Sequence, residues 1–295
     1  MAKRKKIESA KFQIIDYFDA LSFRVFTVEQ LAGIMEENSD SWNLASRQSV
    51  SGFIEFLVES AKLKPITLEN ENQGFPKLNR YVWNSASIYA IAQSIKKASY
   101  LSHGSAVFLL GLTDLLPKVV HLNFEQSPKP RQRGVLLQEN IDRAFSRPQR
   151  PTKFVYRYED YRIIVTNGKF TGRLEVSPIN VFSSEVLDVT RTERTLIDIT
   201  VRPNYAGGVS EVLEVYRRSK ENISVQVLTA TLKKLDYVYP YHQSIGFYMQ
   251  RAGYPERQYS RLKALGINYD FYLNYQLPDT KKFDKTWRLY YPDGL

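Results

Sequence analysis

Two groups of residues in this 295-residue chain come close to catalytic spacings. Gly104-Ser105 followed by Asp114 resembles the glycine–serine and paired-acid pattern of nucleotidyl transfer. That chemistry needs two carboxylates on one metal ion. The second is expected at position 116, where the chain has Leu116. Ala106, Leu109, Leu110 and Leu112 read better as the apolar face of a core helix. Asp270 with Asp279 and Lys281 has the composition of a metal-dependent nuclease site. However, Pro278-Asp279-Thr280-Lys281-Lys282 is turn chemistry, whereas such a motif sits on a strand. The three histidines, His103, His121 and His242, form no metal-binding spacing. No Walker loop or nucleophile elbow is present. The expectation is a chain with no catalytic residue, no metal and no cofactor. A nucleic-acid-processing enzyme with a different site is the alternative.

The remaining chemistry is that of binding a polyanion. The formal charge is +10, which favours nucleic acid or an anionic membrane surface as partner. Residues 1–80 hold eleven Lys and Arg against eleven Asp and Glu, so the excess lies beyond them. It is densest over residues 129–173, with eleven cations and four carboxylates. Arg131, Arg133, Arg147 and Arg157 in that stretch are candidate phosphate contacts, and the aromatic runs 154–158 and 161–165 interleave with them. Asn167-Gly168 reads as a hairpin turn. Near the N-terminus, Arg47, Gln48 and Ser51 are candidates for reading base edges, and Lys77 and Arg80 for touching phosphates.

Those N-terminal residues need a scaffold. Phe12, Ile15, Phe18 and Leu21 mark a first helix over 9–21. Thr27 with Gln30 is a capping box opening a second helix, continued by Leu31, Ile34 and Met35. Val50, Phe53, Ile54 and Leu57 mark a third, over 46–61, whose other face begins with Arg47, Gln48 and Ser51. Glu55 and Glu59 lie towards its far end. Strands over 64–68 and 80–83 then flank a turn. Three helices and a hairpin in this order make a winged helix-turn-helix, in which the third helix enters the major groove of duplex DNA. The predicted fold class is α+β: a winged helix-turn-helix over 1–83, then a larger mixed α/β domain with a basic surface over 84–295. Helices are expected near 86–97, 103–112, 192–200, 209–219, 225–235, 241–251 and 256–264. Strands are expected near 119–124, 154–158, 161–166, 179–182, 270–275 and 286–291. There is no cysteine, and no apolar stretch long enough for a signal or a bilayer span. A cytoplasmic protein without a membrane partner is expected.

Four segments carry a family resemblance. They are Tyr100-Leu101-Ser102 with Ser105-Ala106 and Gly111-Leu112, Arg194-Thr195-Leu196-Ile197-Asp198 with Pro203 and Gly207-Gly208, Ile245-Gly246-Phe247-Tyr248 with Gly253, and Lys285-Thr286-Trp287-Arg288-Leu289. Together they resemble the AbiEi family of antitoxins from type IV toxin–antitoxin modules linked to abortive infection by phage. The resemblance implies repression of the chain's own operon through a winged helix bound to double-stranded operator DNA. It also implies that the C-terminal domain counteracts a toxin of nucleotidyltransferase fold without a stable complex. Locally, Thr190 with Glu193 reads as a capping box, Arg194 with Asp198 as an i, i+4 ion pair, and Gly207-Gly208 as a helix-start turn.

Overall fold

The structure, a computed structural model, describes residues 7–129, 134–182 and 185–295; the candidates Arg131 and Arg133 lie outside them. The chain is mixed α/β. Its strands are β1 (Val25–Phe26), β2 (Leu63–Asn70), β3 (Leu78–Trp83), β4 (Tyr100–Leu101), β5 (Val119–Glu125), β6 (Val155–Tyr158), β7 (Tyr161–Gly168), β8 (Val176–Val181), β9 (Glu185–Thr190), β10 (Phe271–Tyr272), β11 (Lys282–Asp284) and β12 (Leu289–Tyr291). Nine form one sheet in the order β1-β3-β2-β6-β7-β5-β4-β9-β8, and three a second in the order β10-β12-β11. Two compact units are present. The first comprises the chain up to Ser99 with Phe154–Ile163 and Pro178–Leu187; the second comprises Tyr100–Lys153, Ile164–Ser177 and Asp188–Leu295.

In the first unit, α1 (Lys11–Ala20), α2 (Val28–Asn38) and α3 (Val50–Ser60) precede the β2–β3 hairpin, and α4 (Ile88–Gln93) follows it. The helical spacing on α1 differs from expectation. Ile14 and Phe18 are its buried residues, continuing a stripe from Ile7 and Ala10, while Phe12 is 78 % exposed. The stripe that meets the aromatic partners therefore wins: Phe18 stacks on Trp83 at 4.7 Å between ring centroids. Arg24 closes the C-terminal end of α1 by donating to the carbonyls of Phe18 and Asp19. Asp19 accepts from Lys62 Nζ and Trp83 Nε1, both at 2.7 Å. The Lys62 hydrogen bond, then that of Trp83, holds its carboxyl below the usual aspartate value.

The Thr27–Gln30 capping box forms in full. The third helix starts later than expected, at Val50, because the Ser49 hydroxyl accepts from Gly52 N and takes the cap. Such a cap contributes about 0.5–2 kcal/mol. Phe53, Ile54, Phe56 and Leu57 face the core, where Trp42 stacks on Phe53. β2 and β3 pair antiparallel from Leu63 opposite Trp83 to Leu68 opposite Leu78, and β1 adds to β3.

In the second unit, α5 (His103–Leu109), α6 (Gln138–Phe145), α7 (Thr192–Val201), a 3-10 turn (Pro203–Ala206), α8 (Val209–Ser219), α9 (Val225–Leu235), α10 (Tyr241–Arg251) and α11 (Glu256–Lys263) surround one apolar core. Gly207 and Gly208 open α8 with φ of 88° and 101°, values that favour glycine. The Thr190–Glu193 capping box does not form. Arg191 is the cap position without a side-chain bond; Thr190 Oγ1 lies 2.8 Å from Thr195 Oγ1, and Glu193 accepts from Ser224 N. Arg194 and Asp198 do make their i, i+4 pair at 2.8 Å, almost wholly buried. Asn167-Gly168 is no turn. β7 runs through it, because Gly168 lies against the Asn123 side chain, where a Cβ would come within 2.5 Å. The turn at Glu159-Asp160, with Glu159 at φ 52°, falls in the gap left between the expected strands 154–158 and 161–166. Trp287 lies in a turn just before β12, fully buried. No helix among the described residues is long and apolar enough to cross a membrane.

Candidate nucleic-acid interface

The expected base-reading residues gather at the start of α3. Arg47 and Gln48 sit in the turn before the helix, not on it, and Ser51 is in its first turn. Arg47 and Ser51 are exposed, and Gln48 is half-buried. Gln48 Nε2 lies 3.4 Å from the Ser49 carbonyl, folded over the first turn of α3. Gly52 allows this, since a Cβ there would meet Gln48 Nε2 and Ser49 Oγ at 3.1 Å. The result is a depression of about 250 Å³ lined by Arg47, Gln48, Ser49, Gly52, Glu55 and Glu59, among others. Donors crowd its helix-start end, and carboxylates its far end. Free amides and the dipole at a helix N-terminus add positive potential on the same side.

The two hairpin cations do not behave as the sequence suggests. Arg80 is 8 % exposed. Its Nε and Nη2 donate to the Ser94 carbonyl at 3.1 and 2.9 Å, and its Nη1 to the Asn79 carbonyl at 2.8 Å. Desolvation lowers its pKa, but it remains a cation tied to backbone carbonyls. Arg80 is therefore not the phosphate contact that the sequence suggests: alternation along β3 turns this residue inward. Lys77 is exposed and paired with Glu69 across the hairpin.

The later basic residues divide. Arg147 is exposed, in the bend after α6. Arg157, on β6, is 68 % exposed and pairs with Glu71 at 2.8 Å. Arg162 was not singled out as a contact, yet it pairs with the same carboxylate at 2.9 Å. Arginine in an aromatic strand run next to a hairpin turn was the available signal.

The near-catalytic groups are occupied structurally. Ser105 Oγ is buried and accepts from His121 N at 2.8 Å, and Asp114 pairs with Arg218 at 2.7 Å. Asp270 pairs with Arg288 at 2.7 Å. His121 stacks on Tyr205, and His103 Nδ1 lies 2.8 Å from Ser102 Oγ. Burial, then the neighbouring His121, pushes the His103 pKa well below its usual value, so the ring is neutral. Among the described residues no three His, Asp or Glu side chains come together in a way that could hold a metal.

No family model matches the sequence, and no curated protein matches it. Among solved structures, the crystal structure of the RV2827C protein from Mycobacterium tuberculosis is similar. It has a TM-score of 0.58 over 96 % of this chain and 91 % of its own, at 12 % identity. At that identity the likeness is one of fold.

Proposed function

We propose that the first unit carries a winged helix-turn-helix and that the chain is an AbiEi-type antitoxin. In this proposal it represses its own operon by binding operator DNA and counteracts a nucleotidyltransferase-fold toxin without a stable complex. The observation that carries the DNA-binding part is the placement of exposed Arg47 and Ser51 with half-buried Gln48 at the start of α3, the helix that precedes a two-stranded hairpin. That is where a reading helix meets base edges. The four segments that resemble the antitoxin family support the rest. In the second unit three of them contribute to its buried framework, through the Arg194–Asp198 pair and the close contact of Gly246 with Trp287. No catalysis is assigned to the chain, and its place is the cytoplasm.

The test is cellular. A reporter driven by the region upstream of the coding sequence should be repressed by the wild-type chain and released by Arg47→Ala. The same variant should still rescue cells from a toxin encoded beside it. Repression unchanged by Arg47→Ala would remove Arg47 as a reader. Failure of the wild-type chain to repress or to rescue would remove the antitoxin proposal.

A further inference from the structure

In a winged helix the hairpin after the reading helix lies along the DNA backbone, and its cations meet phosphates. Here two of the hairpin's own cations are committed, and the third, Lys64, is exposed near its base, opposite Val82. Arg80 is turned inward, and Lys77 is paired with Glu69. Two others stand at the hairpin tip, brought there from much later in the chain. β6 pairs with the far end of β2, with Glu69 opposite Arg157 and Asn70 opposite Tyr156. Glu71 N donates to the Val155 carbonyl at 2.8 Å. Phe75 in the hairpin loop packs edge-on against Phe154, with ring centroids 5.4 Å apart.

Glu71 then takes two guanidinium groups at once. Arg157 Nε donates to Oε1 at 2.8 Å; Arg162 Nε donates to Oε1 at 2.9 Å and its Nη2 to Oε2 at 2.9 Å. The hydrogen bond from Arg162, together with both positive charges, holds the Glu71 carboxyl below the usual glutamate value, so it stays ionised. One carboxylate cannot neutralise two guanidiniums, and one positive charge remains over. The arginine side chains are 68 % and 47 % exposed, against 20 % for Glu71. Both Nη atoms of Arg157 and Nη1 of Arg162 have no hydrogen-bond partner among the described residues. Exposed ion pairs contribute little to stability. What this one does is fix two flexible side chains with their outer donors free. A guanidinium edge fits phosphate oxygens with two parallel hydrogen bonds.

We infer that Arg157 and Arg162, held by Glu71, are the phosphate contacts of the wing, supplied by a strand pair added to the hairpin tip. This rests on the DNA-binding proposal above. The ligand is the sugar–phosphate backbone of duplex DNA, bound by charge and not by sequence.

The test uses the full chain, a duplex from the region upstream of the coding sequence and a scrambled duplex of the same composition. Affinity is measured over a range of salt. Each real phosphate contact steepens the slope of log affinity against log salt by about 0.9. Arg157→Gln with Arg162→Gln should therefore flatten the slope by about two units and weaken both duplexes by roughly 60-fold at 0.1 M salt. The ratio between the duplexes should hold. Arg157→Lys with Arg162→Lys should recover the slope, since it keeps the charge. An unchanged slope in the Gln variant overturns the inference. So does a Lys variant as weak as the Gln variant, because the loss would then come from packing. A wild-type chain that binds neither duplex would instead overturn the DNA-binding proposal itself.

Discussion

Gly246, in the middle of α10, is the position where the packing of the second unit is most sharply defined. An ideal Cβ built there would stand 2.6 Å from Trp287 Cζ2 and closer still to Cη2 and Cζ3. Ordinary carbon–carbon contact needs about 3.5–4 Å, so the ring would have to move by more than an ångström. It has no room to do so. Trp287 is fully buried; its Nε1 donates to Gln250 Oε1 at 2.6 Å, and Gln243 Nε2 donates to its carbonyl at 2.6 Å. Gly246→Ala gains about 1 kcal/mol of helix propensity. Against that, overpacking typically costs about 1–3 kcal/mol and occasionally more. Displacing a pinned indole lies at the upper end, so a net loss of about 2 kcal/mol is expected. Urea unfolding followed by tryptophan emission and circular dichroism measures it. Gly246→Ala with Trp287→Leu should recover part of the loss relative to Trp287→Leu alone, because the clash is gone. A Gly246→Ala variant as stable as wild type would refute the argument and mean that the ring can slide.

Asp198→Asn should destabilise the second unit by about 3–5 kcal/mol, because it leaves Arg194 charged and buried without its partner; calorimetry would read this, and a loss below 1 kcal/mol would count against the pair. Ser49→Ala should cost about 0.5–2 kcal/mol and fray the start of α3, seen as faster amide exchange at residues 50–53. Glu125 gives a pH prediction. Desolvation works to raise its pKa, but the Thr171 hydroxyl and amide and the Arg173 amide bond its carboxylate and bring the net value below the usual one. A lowered folded pKa means stability fully present above the unfolded glutamate value and lost as pH falls through the folded one. Glu125→Gln should lose less stability over that acid range than wild type does; equal acid sensitivity would exclude this carboxylate as a contributor.

Much of the helical structure was legible in local signals. The Thr27–Gln30 box, the Gly207-Gly208 start and the extents of α8, α9 and α10, which match the expected ranges 209–219, 225–235 and 241–251, depend on residues within one or two turns. Three of the failures share a cause, which is a partner distant in sequence. Phe12 and Phe18 are equally apolar, and Phe18 is the buried one, packed against Phe26 and Trp83. Asn167-Gly168 has the composition of a turn until Asn123 is placed beside Gly168. Arg80 reads as a surface cation until the Ser94 carbonyl takes it. Of the expected base-reading residues, Arg47 and Gln48 lie in the turn before α3 and Ser51 in its first turn, because Ser49 takes the cap. Arg157 was found as a charge. The pairing of Glu71 with Arg157 and Arg162 spans 86 and 91 residues along the chain and has no local sign.

The most direct measurement is equilibrium binding of the full-length chain to duplex DNA from upstream of its own coding sequence and to a scrambled duplex, each at two salt concentrations, for wild type and Arg47→Ala. Wild type should prefer the upstream duplex and bind more weakly at higher salt. Arg47→Ala should lose about 1–3 kcal/mol on the upstream duplex and much less on the scrambled one. Equal affinity of wild type for the two duplexes, or an Arg47→Ala variant that discriminates as well as wild type, would contradict the assignment of α3 and its preceding turn as the DNA reader.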